Sequence, residues 1–137
     1  MSVPPEVLDV LRQWVRKAEH DLEAARRIMA VDEGCPYDAA CFHCQQATEK
    51  YLKALLTCLG IQAPRTHDLD RLLGLIPPEA RPSVSAMELA AMNPYAVDVR
   101  YADDWRDPRR EDAVQSLTLA EAVRTEIRLL LPHDSLL

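Results

Sequence analysis

The sequence reads as an all-α protein: an up-and-down antiparallel bundle of three long helices and one or two short ones. Three observations lead there. Only three glycines occur in 137 residues, and β-branched residues are sparse, which disfavours sheet. Three long stretches repeat apolar residues at helical spacing. The connections between most of them are short, as antiparallel neighbours require. With 48% apolar residues the chain has enough material for a core, so global disorder is excluded. The length suits a single domain, residues 1–137.

The first helix is expected over about residues 4–30. Pro4 and Pro5 suit a first turn, where a missing N–H costs nothing. Leu11, Trp14, Val15, Ala18, Leu22, Ala25 and Met29 form an apolar stripe. Arg12, Arg16, Lys17, Glu19, Asp21, Glu23, Arg26 and Arg27 stand opposite, and His20 is expected to be exposed. Gly34 and Pro36 mark the turn that ends this helix.

The second helix, residues 38–59, is the centre of the chain. It has no internal Gly or Pro. Cys41, Cys44, Thr48, Tyr51, Leu52, Leu55 and Leu59 follow one stripe, widened by Ala40, Ala47, Ala54 and Cys58. Against it runs a polar row, His43, Gln46, Lys50, Lys53 and Thr57, whose members are neighbours along the helix. Gln45 and Glu49 lie beside the row, with Glu49 and Lys53 in the favoured i,i+4 order.

Thr66 is expected to cap a short helix near 67–75, with His67 at its start and Asp68 and Asp70 complementing the helix dipole. Pro77 and Pro78 end it. A further short helix falls within 79–92, where Ser85 and Glu88 have capping-box spacing. Residues 93–108 carry Tyr95, Arg100, Tyr101 and Trp105 and read as an ordered loop packed on the bundle. Asp107-Pro108 is a helix-start signal. The last helix runs from there to about Leu131, with Val114, Leu117, Ala120, Val123, Ile127, Leu130 and Leu131 inward.

The net charge of −6 argues against broad electrostatic nucleic-acid binding but leaves room for a small basic pocket. The start MSVPPEV has no secretory pattern, and no apolar run is long enough to span a membrane. A cytoplasmic location without membrane attachment is expected. Cys35, Cys41, Cys44 and Cys58 read as reduced thiols. Cys41 and Cys44 fall on the apolar stripe and no second ligand pair follows, so no metal is expected, and no cofactor either.

Several segments together resemble the HEPN domain family. Trp14 with Ala18-Glu19-His20-Asp21-Leu22 resembles its first-helix pattern. Residues 41–56, CFHCQQATEKYLKALL, resemble its second-helix signature. Thr66-His67-Asp68-Leu69 and Tyr95 followed by Arg100-Tyr101 resemble the two motifs that come next. The resemblance implies a helical bundle, commonly a homodimer. Many small members pair with a minimal nucleotidyltransferase in toxin–antitoxin systems. Active members are metal-independent ribonucleases with an Arg-x4–6-His motif, and others bind nucleotide or RNA without catalysis.

The expected function is therefore a non-catalytic nucleotide- or RNA-binding module that partners a nucleotidyltransferase. The expected ligand-binding residues are His43, Gln46, Lys50, Lys53, His67, Arg100 and Tyr101: cations for phosphate, with a ring for stacking on a base. Two alternatives stand beside it. One is a ribonuclease toxin, with Arg128 and His133, or Arg100 with His43 or His67, as the acid–base and charge-stabilising groups. Arg128 and His133 have the motif's spacing, but Pro132 lies between them and Leu129 directly follows the arginine. The other alternative is a purely structural dimerisation partner.

Overall fold

The computed structural model describes residues 2–96 and 107–137. Among the described residues five α-helices form: α1 (Pro5–Met29), α2 (Tyr37–Cys58), α3 (Leu69–Leu75), α4 (Ala86–Ala90) and α5 (Arg110–Leu130). Short 3₁₀ turns occupy Pro78–Ala80, Asn93–Ala96 and His133–Leu136. No strand forms among the described residues. The protein is a helical bundle, as its composition and periodicity imply.

α2 is the central rod. It packs against α1 and α5 and also touches α3 and the Asn93–Ala96 turn. Covering from several sides explains why 14 of its 22 residues are buried. Its end shows why glycine is needed at position 60. Gly60 has φ +75. Its N–H reaches the Thr57 carbonyl (3.1 Å), and the Ile61 N–H reaches that of Leu56 (2.9 Å). This pair of bonds satisfies carbonyls that the helix end leaves open and demands a left-handed residue between them.

α1 runs antiparallel to both other long helices. Glu19 meets Tyr51 of α2 and Arg124 of α5, while Arg26, one end further along, meets Glu121. α2 and α5 therefore run in the same direction. Residues 59–96, which include α3 and α4, carry the chain back along the bundle, so that Tyr95 packs beside Ala40, Cys41 and Ala113.

The main core joins Leu11, Val15, Ala18 and Leu22 of α1 to Tyr51, Leu52, Leu55 and Leu56 of α2. Val123 and Ile127 of α5, with Leu69, Leu72, Ile76, Leu89 and Met92, close it. Trp14 is only half-buried, and Leu59 likewise.

Several local expectations are corrected. Thr66 does not cap α3. The helix starts two residues after His67, and Asn93 caps it from a distance, accepting from the Leu69 N–H (2.9 Å) and donating to Asp70 (2.9 Å). α5 begins at Arg110, later than Asp107-Pro108 suggests, with the Asp112 carboxylate accepting from the Arg109 N–H (2.8 Å). Its inner face holds at Ala120, Val123, Ile127 and Leu131 but differs at its edges. Ala113, Ser116 and Leu119 are buried, whereas Val114 and Leu130 are 39% and 41% exposed. The Ser85–Glu88 capping box at α4 forms as its spacing implies.

Candidate functional site

The polar row of α2 does converge, but around carboxylates. Asp21 of α1 faces it. Its side chain is nearly buried and accepts from His43 Nδ1 at 2.8 Å through one oxygen and from Lys50 Nζ through the other. One helical turn away, Glu49 plays the same part from α2 itself. It takes Lys53 Nζ at 3.0 Å, His67 Nδ1 at 2.8 Å and the Gln45 amide at 3.2 Å. Gln45 also donates to the His67 carbonyl (3.0 Å), and Gln46 donates to Gln45 (2.8 Å). The Lys53 ammonium lies 5.9 Å from the Trp14 ring centroid, within cation–π range.

The arrangement differs from a bare cationic seam. Each lysine already has a carboxylate partner, and buried charges require such pairing. Glu49 and Lys53 are not a surface pair, since only 6% and 11% of their side chains are exposed. What remains accessible is imidazole: the His67 side chain is 60% exposed and that of His43 31%. A carboxylate on Nδ1 fixes the proton there. Nε2 of each ring has no partner among the described residues. Arg100 and Tyr101, the remaining expected ligand-binding residues, lie outside the described residues, as does Trp105.

A second charged cluster occupies the other flank of α1. Glu19 receives three hydrogen bonds from Arg124 of α5, at 2.8–3.0 Å, and a fourth from the Tyr51 hydroxyl at 2.7 Å. Arg128 donates to the same hydroxyl at 3.2 Å. Burial alone would raise the Glu19 pKa, but the bonds from Arg124 and Tyr51 outweigh it and hold the carboxyl below its ordinary value. Burial and the neighbouring carboxylate push Tyr51 up to about 12, so its hydroxyl stays a donor. Beside this cluster opens a cleft of about 590 Å³ between α1, the end of α5 and the last residues, with Arg12, Arg16, His20 and Arg128 on its walls.

Arg128 and His133 are not brought together. Arg128 turns to Tyr51 and the large cleft, while His133 lines a different one with Ser2, Val3 and Leu8. The four cysteines are free thiols. Burial raises Cys41 to about 11 and Cys44 to about 12, which keeps both protonated and unreactive. Among the described residues no three His, Cys, Asp or Glu side chains gather as a metal site would need, and no helix is long and apolar enough to cross a membrane.

The HEPN domain model matches residues 11–130, nearly the whole bundle. The chain belongs to the HEPN family. Two solved structures resemble this HEPN chain. TT1696 from Thermus thermophilus is 27% identical, with a TM-score of 0.72 over 88% of this chain and 98% of that one. ST0689, described as an archaeal HEPN homologue, is 26% identical, with a TM-score of 0.68 over 88% and 96%. A comparison with curated proteins finds no match. Within this HEPN bundle, sequence reasoning located the α2 row but missed Asp21 and Glu19 as the carboxylates that organise the two clusters. It also missed the cleft. The only sequence signal for it was the Arg12, Arg16, His20 spacing, which lines three side chains along one face of α1.

Proposed function

We propose that this HEPN protein is a non-catalytic nucleotide- or RNA-binding module that partners a minimal nucleotidyltransferase in a toxin–antitoxin-type pair. The observation that carries the binding part is the carboxylate-anchored row on α2. Asp21 and Glu49 hold Lys50, Lys53, His43 and His67 in fixed places. Anchored side chains lose little further freedom on binding, so a guest phosphate meets donors already in position. A protonated His43 or His67 offers its Nε2–H, and Lys50, with 20% of its side chain exposed, keeps N–H donors beyond the one Asp21 takes. The partner and the pairing rest on family membership. The separation of Arg128 from His133 supports the non-catalytic reading, because catalysis needs both groups at one phosphodiester.

A calorimetric titration of the protein with nucleotides and short oligoribonucleotides tests it. Lys50→Gln, which keeps a donor for Asp21 but removes the charge, weakens binding while circular dichroism stays helical. No heat of binding from the unmutated protein, alone or with its partner, rejects the reading.

One observation favours a ribonuclease instead. His43 on Asp21 has the geometry of an oriented general base, with Nε2 free to take a proton from a ribose 2′-OH. RNA cleavage in the presence of chelator, lost in His43→Ala, would establish that activity.

A further inference from the structure

The outward face of α5 presents no unpaired charge, although the helix itself is rich in ions. Glu121, Arg124, Glu126 and Arg128 lie along it, and each is drawn sideways to a partner in its own chain. Glu121 takes Arg26 (3.0 Å) and Arg124 takes Glu19 (2.8 Å). Glu126 accepts from the Ser83 N–H (2.9 Å) and hydroxyl (2.7 Å), and Arg128 donates to Tyr51 (3.2 Å). Opposite the buried Ser116, Val123 and Ile127, the helical period leaves Val114, Thr118, Ala122, Thr125 and Leu129. A surface helix ordinarily carries charged residues there. Val114 and Leu129 are instead 39% and 82% exposed. Both threonine hydroxyls turn back onto their own helix, Thr118 to the Val114 carbonyl (2.8 Å) and Thr125 to that of Glu121 (3.0 Å). Covering this face therefore leaves no polar group unpaired.

We infer that this face packs against the same face of a second copy of the chain, with the two α5 helices antiparallel. A two-fold axis between Glu121 and Ala122 sets Val114 against Leu129 of the copy and Thr118 against its Thr125. The stripe is thus its own complement when reversed, which selects a second copy over an unrelated helix. Self-pairing brings equal charges face to face, so in a chain of net charge −6 it needs a face without free charge. Glu121, next to the axis, arrives already neutralised by Arg26. Antiparallel order also joins opposite ends. Exposed Arg110 stands in the first turn of α5 without a partner among the described residues. It comes to the C-terminal end of the copy's helix, where open carbonyls and exposed Asp134 are negative. A parallel pair would set Arg110 against itself. The stripe is about 22 Å long at helical rise. One helix pair of that length is a small specific interface, so the dimer dissociates in roughly the micromolar range.

Sedimentation velocity of the full chain, from about 1 to about 200 μM, tests this. The average mass rises towards that of a dimer across the range. Thr118→Lys and Thr125→Glu each weaken association at least about tenfold, because each sets a charge on an uncharged face. Both positions are exposed, so the variants fold. Combined in one chain they restore the dimer, since the new lysine meets the new glutamate of the copy, and a mixture of the two single variants associates as well. A mass that stays monomeric throughout overturns the inference. So does a dimer indifferent to both single variants, which puts the contact on another face. A dimer weakened by each and not rescued by the combination overturns it too, because the antiparallel pairing is then wrong. None of these outcomes depends on what the α2 row binds.

Discussion

Glu49→Gln is the most informative single change in the α2 network. It keeps the side chain's volume and its ability to bond the His67 ring, but removes the charge that Lys53 faces. Lys53 exposes only 11% of its side chain. Breaking a buried pair by removing one partner costs roughly 3–5 kcal/mol. The Trp14 ring 5.9 Å away faces the ammonium with or without the Glu49 charge and so cancels, while the Gln amide oxygen can still accept from Nζ, which sets the loss at the low end of that range. A loss of about 3 kcal/mol results. For 137 residues, at roughly 2.1 cal/mol/K of unfolding entropy each, 1 kcal/mol corresponds to about 3.5 °C, so the melting temperature drops by about 10 °C. Adding Lys53→Met should restore most of the loss, since an apolar replacement of similar length removes the orphaned charge. Thermal melts of both single variants, the double variant and the unmutated protein close the cycle. A Glu49→Gln cost below about 1 kcal/mol, or no recovery in the double variant, refutes the claim that this pair is buried and coupled.

Two further outcomes follow from the titrating groups. Glu19 has a folded pKa below its ordinary 4.5, so it adds stability above that pH and loses it as pH falls through the lowered folded value. Glu19→Gln should therefore flatten the acid side of a plot of melting temperature against pH, and an unchanged slope counts against the Arg124–Tyr51 bonds. Cys41 and Cys44, raised to about 11 and 12 by burial, should resist thiol reagents at pH 8 in the native protein and react only on unfolding. Native-state labelling counted by mass spectrometry checks this, with half-buried Cys35 expected to react first.

Much of this architecture is legible in the residue order, for one physical reason. Helical periodicity reports which face of a rod is apolar, and α1 and α2 have long, regular stripes. It does not report how many neighbours the rod has. Glu49 and Lys53 have the spacing of an ordinary surface pair, yet the neighbours of α2 cover them. Cap positions failed where the capping group came from far along the chain: nothing near Thr66 discloses that Asn93 will serve Leu69. On α5, Ala120, Val123, Ile127 and Leu131 face inward as their spacing implies, but Val114 and Leu130 are apolar and exposed while the small residues Ala113 and Ser116 are buried. The candidate sites follow the same rule. His43, Lys50, Lys53 and His67 were visible as a row. Glu49 was visible as the i,i+4 partner of Lys53, but Asp21 was not, because it lies 22 and 29 residues away from its two partners.

The knot at Tyr51 bears on how the molecule opens. Three long helices meet there through one hydroxyl and one carboxylate, near the middle of α1, well inside α2 and over the last two turns of α5. None of the three can detach without parting that shared contact, so their amide protons should exchange together, as one cooperative unit. α3 and α4 take no part in the knot, but Leu69, Leu72 and Leu89 sit in the same core, so their opening uncovers apolar surface of the three long helices as well.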